Sequence, residues 1–205
     1  GPDCGGCRSF MIPDFDRYNT ISKLFWYYVN EHGDDITLWR KQRGAWESLT
    51  WRKYGEWSRD MGNALLACGM NRGDKVSILS QTRLEWVVCD MAIMGIGCVT
   101  APIYNSNTEE QVYYIAEHSD SRLAFVEDQE QLDKMLAIWE KLPQIERIVV
   151  FDKYVPNDLP NVTSLRDFME MGAHYREEHL NTFEDRIEAG DPEDIISFIY
   201  TSGTT

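Results

Sequence analysis

The chain has 205 residues and carries 34 acidic against 20 basic side chains, a formal charge of -14. With no Lys/Arg-rich block to interrupt it, that acidic background repels polyanions and argues against nucleic acid as a partner. At 43% apolar residues, with seven Trp and ten Tyr, the sequence is too hydrophobic for a disordered chain and long enough to bury a sizeable core.

Residues 1–19 read as an irregular arm. After Thr20, the residues Ile21, Leu24, Phe25, Tyr28, Val29 and His32 fall on one helical stripe that ends at Gly33. Two β-prone runs follow, Ile36 to Arg40 and Trp46 to Thr50, around "KQRGA", which predicts a hairpin. Thr50 then caps a second helix whose inner face is Tyr54, Trp57, Met61, Ala64, Leu65 and Cys68, and Gly69 stops it.

From there short strands and helices alternate. "KVSIL" (75–79) is a strand, and Leu84, Val87, Val88, Met91 and Met94 form the expected inner face of a helix reaching Gly95. "CVTAPI" (98–103) is the next strand. Thr108 and Gln111 make a capping-box signature ahead of Val112, Ile115 and Ala116. "RLAFV" (122–126), a helix with Leu132, Met135, Leu136 and Trp139, and "RIVVF" (147–151) complete the series. Such alternation with short links predicts an α/β fold, a mostly parallel sheet flanked by helices on both faces. "YVPNDLPNV" is a turn-rich connection, Ser164 to Met171 looks helical, and "HYREEHLNTFEDRIEAGDPED" reads as acidic and exposed with partial helix character. "IISFIY" (195–200) is a continuous apolar run suited to a buried strand.

Several weaker signals have plain explanations. The most apolar window, Trp86 to Ile103, is broken by Asp90, two glycines and a proline, so it reads as buried helix plus strand rather than a membrane span. No basic-then-apolar leader opens the sequence, which suggests the cytoplasm. Of five cysteines, Cys68, Cys89 and Cys98 fall in core elements as reduced thiols, while Cys4-Gly5-Gly6-Cys7 lacks the second pair that a zinc site needs. His174 and His179 flank Glu177 and Glu178 without the HExxH spacing, and a solvated helix face is the simpler account. Gly95-Ile96-Gly97 lacks the third glycine of a dinucleotide fingerprint, and Asp191, Glu193 and Asp194 read as a capping turn.

The last stretch holds the main functional signal. In open α/β sheets, ligands bind beyond the carboxyl ends of the strands. Thr201-Ser202-Gly203-Thr204-Thr205 follows an expected strand end; by composition alone it reads as a solvated turn or as a loop that turns several hydroxyls and backbone N–H groups toward one anion, a phosphate above all. It is not a Walker loop, since GxxxxGK[ST] occurs nowhere in the chain. The order "IYTSGTT" resembles the start of the phosphate-binding signature of the adenylate-forming superfamily, Tyr-Thr-Ser-Gly-Thr-Thr-Gly-x-Pro-Lys-Gly. "GDKVSILSQTRLEWVVCDMAIMGIGCVTAPIYN" and "WESLTWRKYGEW" are similar to the corresponding stretches of long-chain fatty acid CoA ligases.

The resemblance implies that residues 20–205 are the N-terminal part of a large adenylate-forming (AMP-binding) domain, with the sequence ending inside the signature. It implies a parent enzyme that joins a fatty acid to CoA through an acyl-adenylate, using ATP and Mg²⁺ and releasing AMP and pyrophosphate. Thr201, Ser202, Gly203, Thr204 and Thr205 would hold ATP phosphates, while no catalytic acid or base and no metal ligand carries over to this stretch. Tyr200 is expected to close the strand. Partners are then ATP, fatty acid, CoA and the C-terminal part of the same enzyme, with peripheral membrane contact compatible with a fatty substrate, and the 205-residue chain alone is expected to be inactive. The alternatives are an adenylation domain for another carboxylate, or a stand-alone α/β binding module without chemistry.

Overall fold

Residues 12–152 and 159–201 are described by a computed structural model. Thr20 caps helix α1 (Ile21–Glu31), its side chain accepting from the Lys23 amide at 3.1 Å. Strands β1 (Ile36–Gln42) and β2 (Ala45–Thr50) pair antiparallel as a sheet of their own. Arg43 and Gly44 between them have φ of 51° and 83°, the left-handed pair that a two-residue hairpin turn demands. Thr50 caps α2 (Trp51–Ala67) through the Lys53 amide.

The main sheet contains β3 (Lys75–Leu79), β4 (Val99–Ile103), β5 (Ser121–Val126), β6 (Arg147–Val150) and β7 (Val162–Ser164). Its spatial order is β4-β3-β5-β6-β7 and every pairing is parallel. Helices α3 (Leu84–Gly95), α4 (Glu109–His118), α5 (Gln129–Trp139), α6 (Leu165–Glu178) and α7 (Thr182–Glu188) supply the crossovers and the remaining cover. The capping box at Thr108 forms in both directions.

Alternate residues of each strand feed two cores. Val76, Ile78, Leu123, Phe125 and Val149 pack with α1, α2, α3, α6 and α7, whereas Leu79, Ile103, Ala124, Val126, Ile148 and Val150 pack with α4 and α5. The expected α/β fold, with helices on both faces of a parallel sheet, is the fold observed. On the first face the helices touch backbone to backbone. A Cβ on Gly172 of α6 would lie 1.7 Å from the Asp60 carbonyl oxygen of α2. Phe183 of α7 fills the space left by two glycines: a Cβ would stand 2.4 Å from its ring at Gly62 and 2.8 Å at Gly95.

Four expectations are corrected. The segment from His174 to Asp194 is not wholly exposed, since Phe183 and Ile187 are buried by α1, α2 and α3. The inner face of α3 is Val88, Cys89, Ala92 and Ile93, with Leu84, Val87, Met91 and Met94 only partly covered, because this helix is apolar nearly all round and offers no stripe to read. β7, three residues long, was not expected. The apolar run 195–200 is no buried strand: Ile195 is 63% and Ile199 81% exposed, and among the described residues it makes a single bridge, Ser197 to Thr100. A run of that composition is buried only when something covers it on both sides.

Candidate phosphate-loop site

The chain runs from β3 outward to β4 and then returns to place β5 on the other side of β3, so the strand order reverses between β3 and β5. That point is filled by the protein's own side chains. Glu127, buried at the end of β5, accepts from the Gln81 amide at 3.0 Å and from Gln81 Nε2 at 2.7 Å, and Arg83 Nη1 stands 3.6 Å away. Arg83 also donates to Glu85 at 2.7 Å and to Asp152 at 3.3 Å. A cavity of about 710 Å³ opens beside this network, lined by Trp57, Leu84, Val88, Phe151, Leu165 and Met169 with charged groups at its rim. The sequence reading missed this network; its one local signal is an acid placed directly after an apolar strand in "AFVED".

The lead-in to the hydroxyl-rich loop lies along the β4 edge. It is fixed at three places. Arg72 of the turn before β3 pairs with Asp194 and donates to the Ala189 carbonyl at 3.0 Å. Thr100 of β4 donates its amide to the Ile196 carbonyl at 3.0 Å and accepts from the Phe198 amide at 2.9 Å. Tyr200 lies against α4, with its hydroxyl 3.0 Å from His118 Nδ1 and its ring set edge-on to Tyr114. Burial pushes the Tyr200 phenol up, with a further push from Tyr114, so it stays protonated and can donate to the imidazole.

The bridge is parallel, Thr100 with Ser197, so the lead-in runs in the direction of β4. Four residues beyond it, Thr201 is exposed. Of the five residues expected to hold phosphate, Thr201 alone is described, while Ser202, Gly203, Thr204 and Thr205 lie outside the described residues. Tyr200 turns out to be a packing residue on α4 rather than the end of a strand. The bridge itself is braced from below: Thr100 Oγ1 donates to Asp90 Oδ1 at 2.6 Å, and burial pushes the Asp90 carboxyl up against the opposing effect of that hydrogen bond.

The other candidates stay apart from this edge. His179 stacks on Tyr175 with ring centroids 3.9 Å apart, and His174 is exposed beside Glu177, so the two imidazoles do not converge. Among the described residues no group of three or more His, Cys, Asp or Glu is disposed to hold a metal ion. Burial pushes the thiols of Cys68, Cys89 and Cys98 up, Cys98 to about 12, which leaves them protonated and unreactive. Gly97, at φ 80°, ends α3. The Asp191–Asp194 turn closes on itself, Asp194 accepting from the Asp191 amide at 2.8 Å. The Cys4–Cys7 pair lies outside the described residues.

A family model for AMP-binding enzymes matches residues 25–205. The long-chain-fatty-acid–CoA ligase ACSBG2 of Xenopus laevis is 30% identical over 91% of this chain, and human ACSBG1, a ligase of the same description, is likewise 30% identical over 91%. A bacterial ligase, FadD15 of Mycobacterium bovis, is 27% identical over 92%. The chain spans about a quarter of the length of the two animal relatives, 25% of each, and 30% of FadD15. Among solved structures, the anthranilate CoA ligase AuaEII in complex with anthranoyl-AMP shares the fold at a TM-score of 0.73, with 22% identity, over 95% of this chain and 34% of its own.

Proposed function

The chain belongs to the AMP-binding enzyme family, and we propose that the whole protein is an ATP-dependent long-chain fatty acid CoA ligase of which these residues form the N-terminal α/β part. One observation carries the proposal: the family match covers residues 25–205 and so includes "YTSGTT", whose lead-in bridges β4 in parallel through Ser197 and Thr100. Similarity to ligases named for long-chain fatty acids supports the choice of substrate.

In the proposed reaction a fatty carboxylate oxygen attacks the α-phosphorus of ATP, and the bond to the bridging oxygen breaks to release pyrophosphate. The CoA sulfur then attacks the acyl carbonyl and AMP leaves with the electron pair of the broken acyl–oxygen bond. Thr201, Ser202, Thr204 and Thr205 are assigned hydroxyl and amide contacts to the phosphates, and Gly203 the close approach of backbone to them. These groups stabilise developing charge and move no proton. No group of three or more His, Cys, Asp or Glu among the described residues could hold a metal ion, and Mg²⁺, where bound, would be held largely by the nucleotide phosphates. The proposal carries with it a cytoplasmic protein that meets membranes at their surface. It also holds that the 205-residue chain alone forms no acyl-CoA.

The test is mass spectrometry of the products formed by the whole protein from ATP, CoA and a mixed pool of fatty, aryl and amino acids. Long-chain acyl-CoA is the expected product. An aryl or aminoacyl thioester would assign a different carboxylate, and the absence of any thioester or adenylate would overturn the proposal. Acyl-CoA from the 205-residue chain alone would overturn its last clause.

A further inference from the structure

The β1–β2 hairpin stands outside the main sheet and divides its side chains sharply. The register pairs Leu38 with Leu49, Trp39 with Ser48, Arg40 with Glu47 and Lys41 with Trp46. One face therefore holds Leu38, Leu49, Arg40 and Glu47, and it turns to the body: Leu49 is buried, Leu38 packs on the core, and Arg40 reaches both Glu47, at 2.8 Å, and Glu85 of α3, at 3.9 Å. The opposite face holds Trp39, Lys41, Trp46 and Ser48, with Arg43 at the turn, and carries no acid.

That outer face is unusual twice over. Trp39 is 60% and Trp46 66% exposed, and neither indole stacks on another ring or donates its N–H among the described residues. Lys41 and Arg43 are exposed without an ion pair among the described residues, in a chain with 34 acids available. Indoles with a dry body and a free N–H, interleaved with unpaired cations, are the composition of a protein surface that sits at the headgroup level of a bilayer. Overall charge does not oppose this, because repulsion from distant acids is screened within about 8–10 Å at physiological salt while the tip meets the surface directly.

We propose that the outer face of this hairpin docks the protein on an anionic membrane surface, Trp39 and Trp46 entering the headgroup layer while Lys41 and Arg43 meet lipid phosphates and carboxylates. A second copy of the chain is a poorer occupant, since a two-fold contact would set Lys41 and Arg43 against their own images. Protein interfaces in general are poor in lysine at their centre, where Lys41 lies between the indoles. No described helix is long and apolar enough to cross a membrane, and the contact proposed for the hairpin is one made at the bilayer surface. This inference deepens the surface contact with membranes included in the proposed function by naming the face that makes it, and its vesicle test can fail while the acyl-CoA assay succeeds.

The test is co-sedimentation of the whole protein with phosphatidylcholine vesicles and with vesicles in which about a third of the lipid is phosphatidylserine. Binding to the anionic vesicles alone, weakening as salt rises, is expected. The double variants Trp39→Ser/Trp46→Ser and Lys41→Glu/Arg43→Glu should each reduce partitioning on the order of tenfold or more. Their circular dichroism and melting should match the parent, because all four side chains are exposed. Brominated lipid should quench part of the tryptophan emission of the parent and little of that of the Trp39/Trp46 variant. Equal sedimentation of parent and both variants, equal binding to neutral vesicles, quenching that survives in the double variant, or self-association abolished by it without any lipid binding would each overturn the proposal.

Discussion

"KVSIL" in β3 and "IISFIY" at 195–200 are sequences of the same kind, and they meet opposite fates. Every residue of β3 after Lys75 is buried, with a parallel neighbour on either edge and helices on both faces. Among the described residues the second run has one neighbour, one bridge and isoleucines open to solvent. What differs is the set of surfaces the rest of the chain brings to each. A β-prone apolar run states that it can be buried, and its neighbours decide whether it is.

Substitutions can probe that contrast, starting with the deepest. Ile78→Ala should cost about 2–5 kcal/mol in chemical denaturation, since this side chain is fully buried in β3. A loss under about 1 kcal/mol would show the sheet centre to be loosely packed. Gly172→Ala should cost about 3 kcal/mol, because its methyl would meet the Asp60 carbonyl of a neighbouring helix backbone, which cannot yield as a side-chain end does. An unchanged midpoint would mean that α2 and α6 separate easily. Tyr200→Phe removes the hydroxyl that meets His118, and a loss of about 0.5–1.5 kcal/mol is expected. Faster amide exchange confined to residues 195–201 would mark the loss as local.

Asp90→Asn sharpens the comparison through pH. The folded carboxyl is pushed above its ordinary value, so the native state holds its proton more tightly than the unfolded chain. Native stability therefore falls as pH rises through the ordinary carboxylate range toward the raised value. The amide keeps an acceptor for Thr100 and has no proton to lose. Melting of the variant should match the parent in acid and exceed it near neutrality. A parallel pair of curves across pH would contradict burial as the cause. Smallest of all, Ile199→Asn should move stability by less than about 0.5 kcal/mol.

Much of the fold was legible because its signals are local. Thr20, Thr50 and Thr108 announce helix starts within four residues, and the strand–helix alternation from 75 to 151 fixes the class. The errors fall where the deciding partner is distant in sequence. Phe183 and Ile187 sit in an acid-rich stretch that reads as surface, and only the glycines at 62 and 95 make room to bury the ring. β7 pairs through three residues, too few for a period to show. Of the site, the loop composition was visible, whereas its anchors Arg72, Thr100 and His118 come from three elements that no spacing in the sequence connects.

The strand order also sets a schedule. β4 can join β3 as soon as both exist, but β5, the other neighbour of β3, ends 47 residues after it, at Val126 against Leu79. At a synthesis rate of about 5–20 residues per second, that leaves one edge of β3 open for roughly 2–9 s in each newly made molecule. The β1–β2 hairpin needs no such wait, since its turn closes in microseconds. Chaperone demand during translation should therefore peak between the emergence of β3 and that of β5.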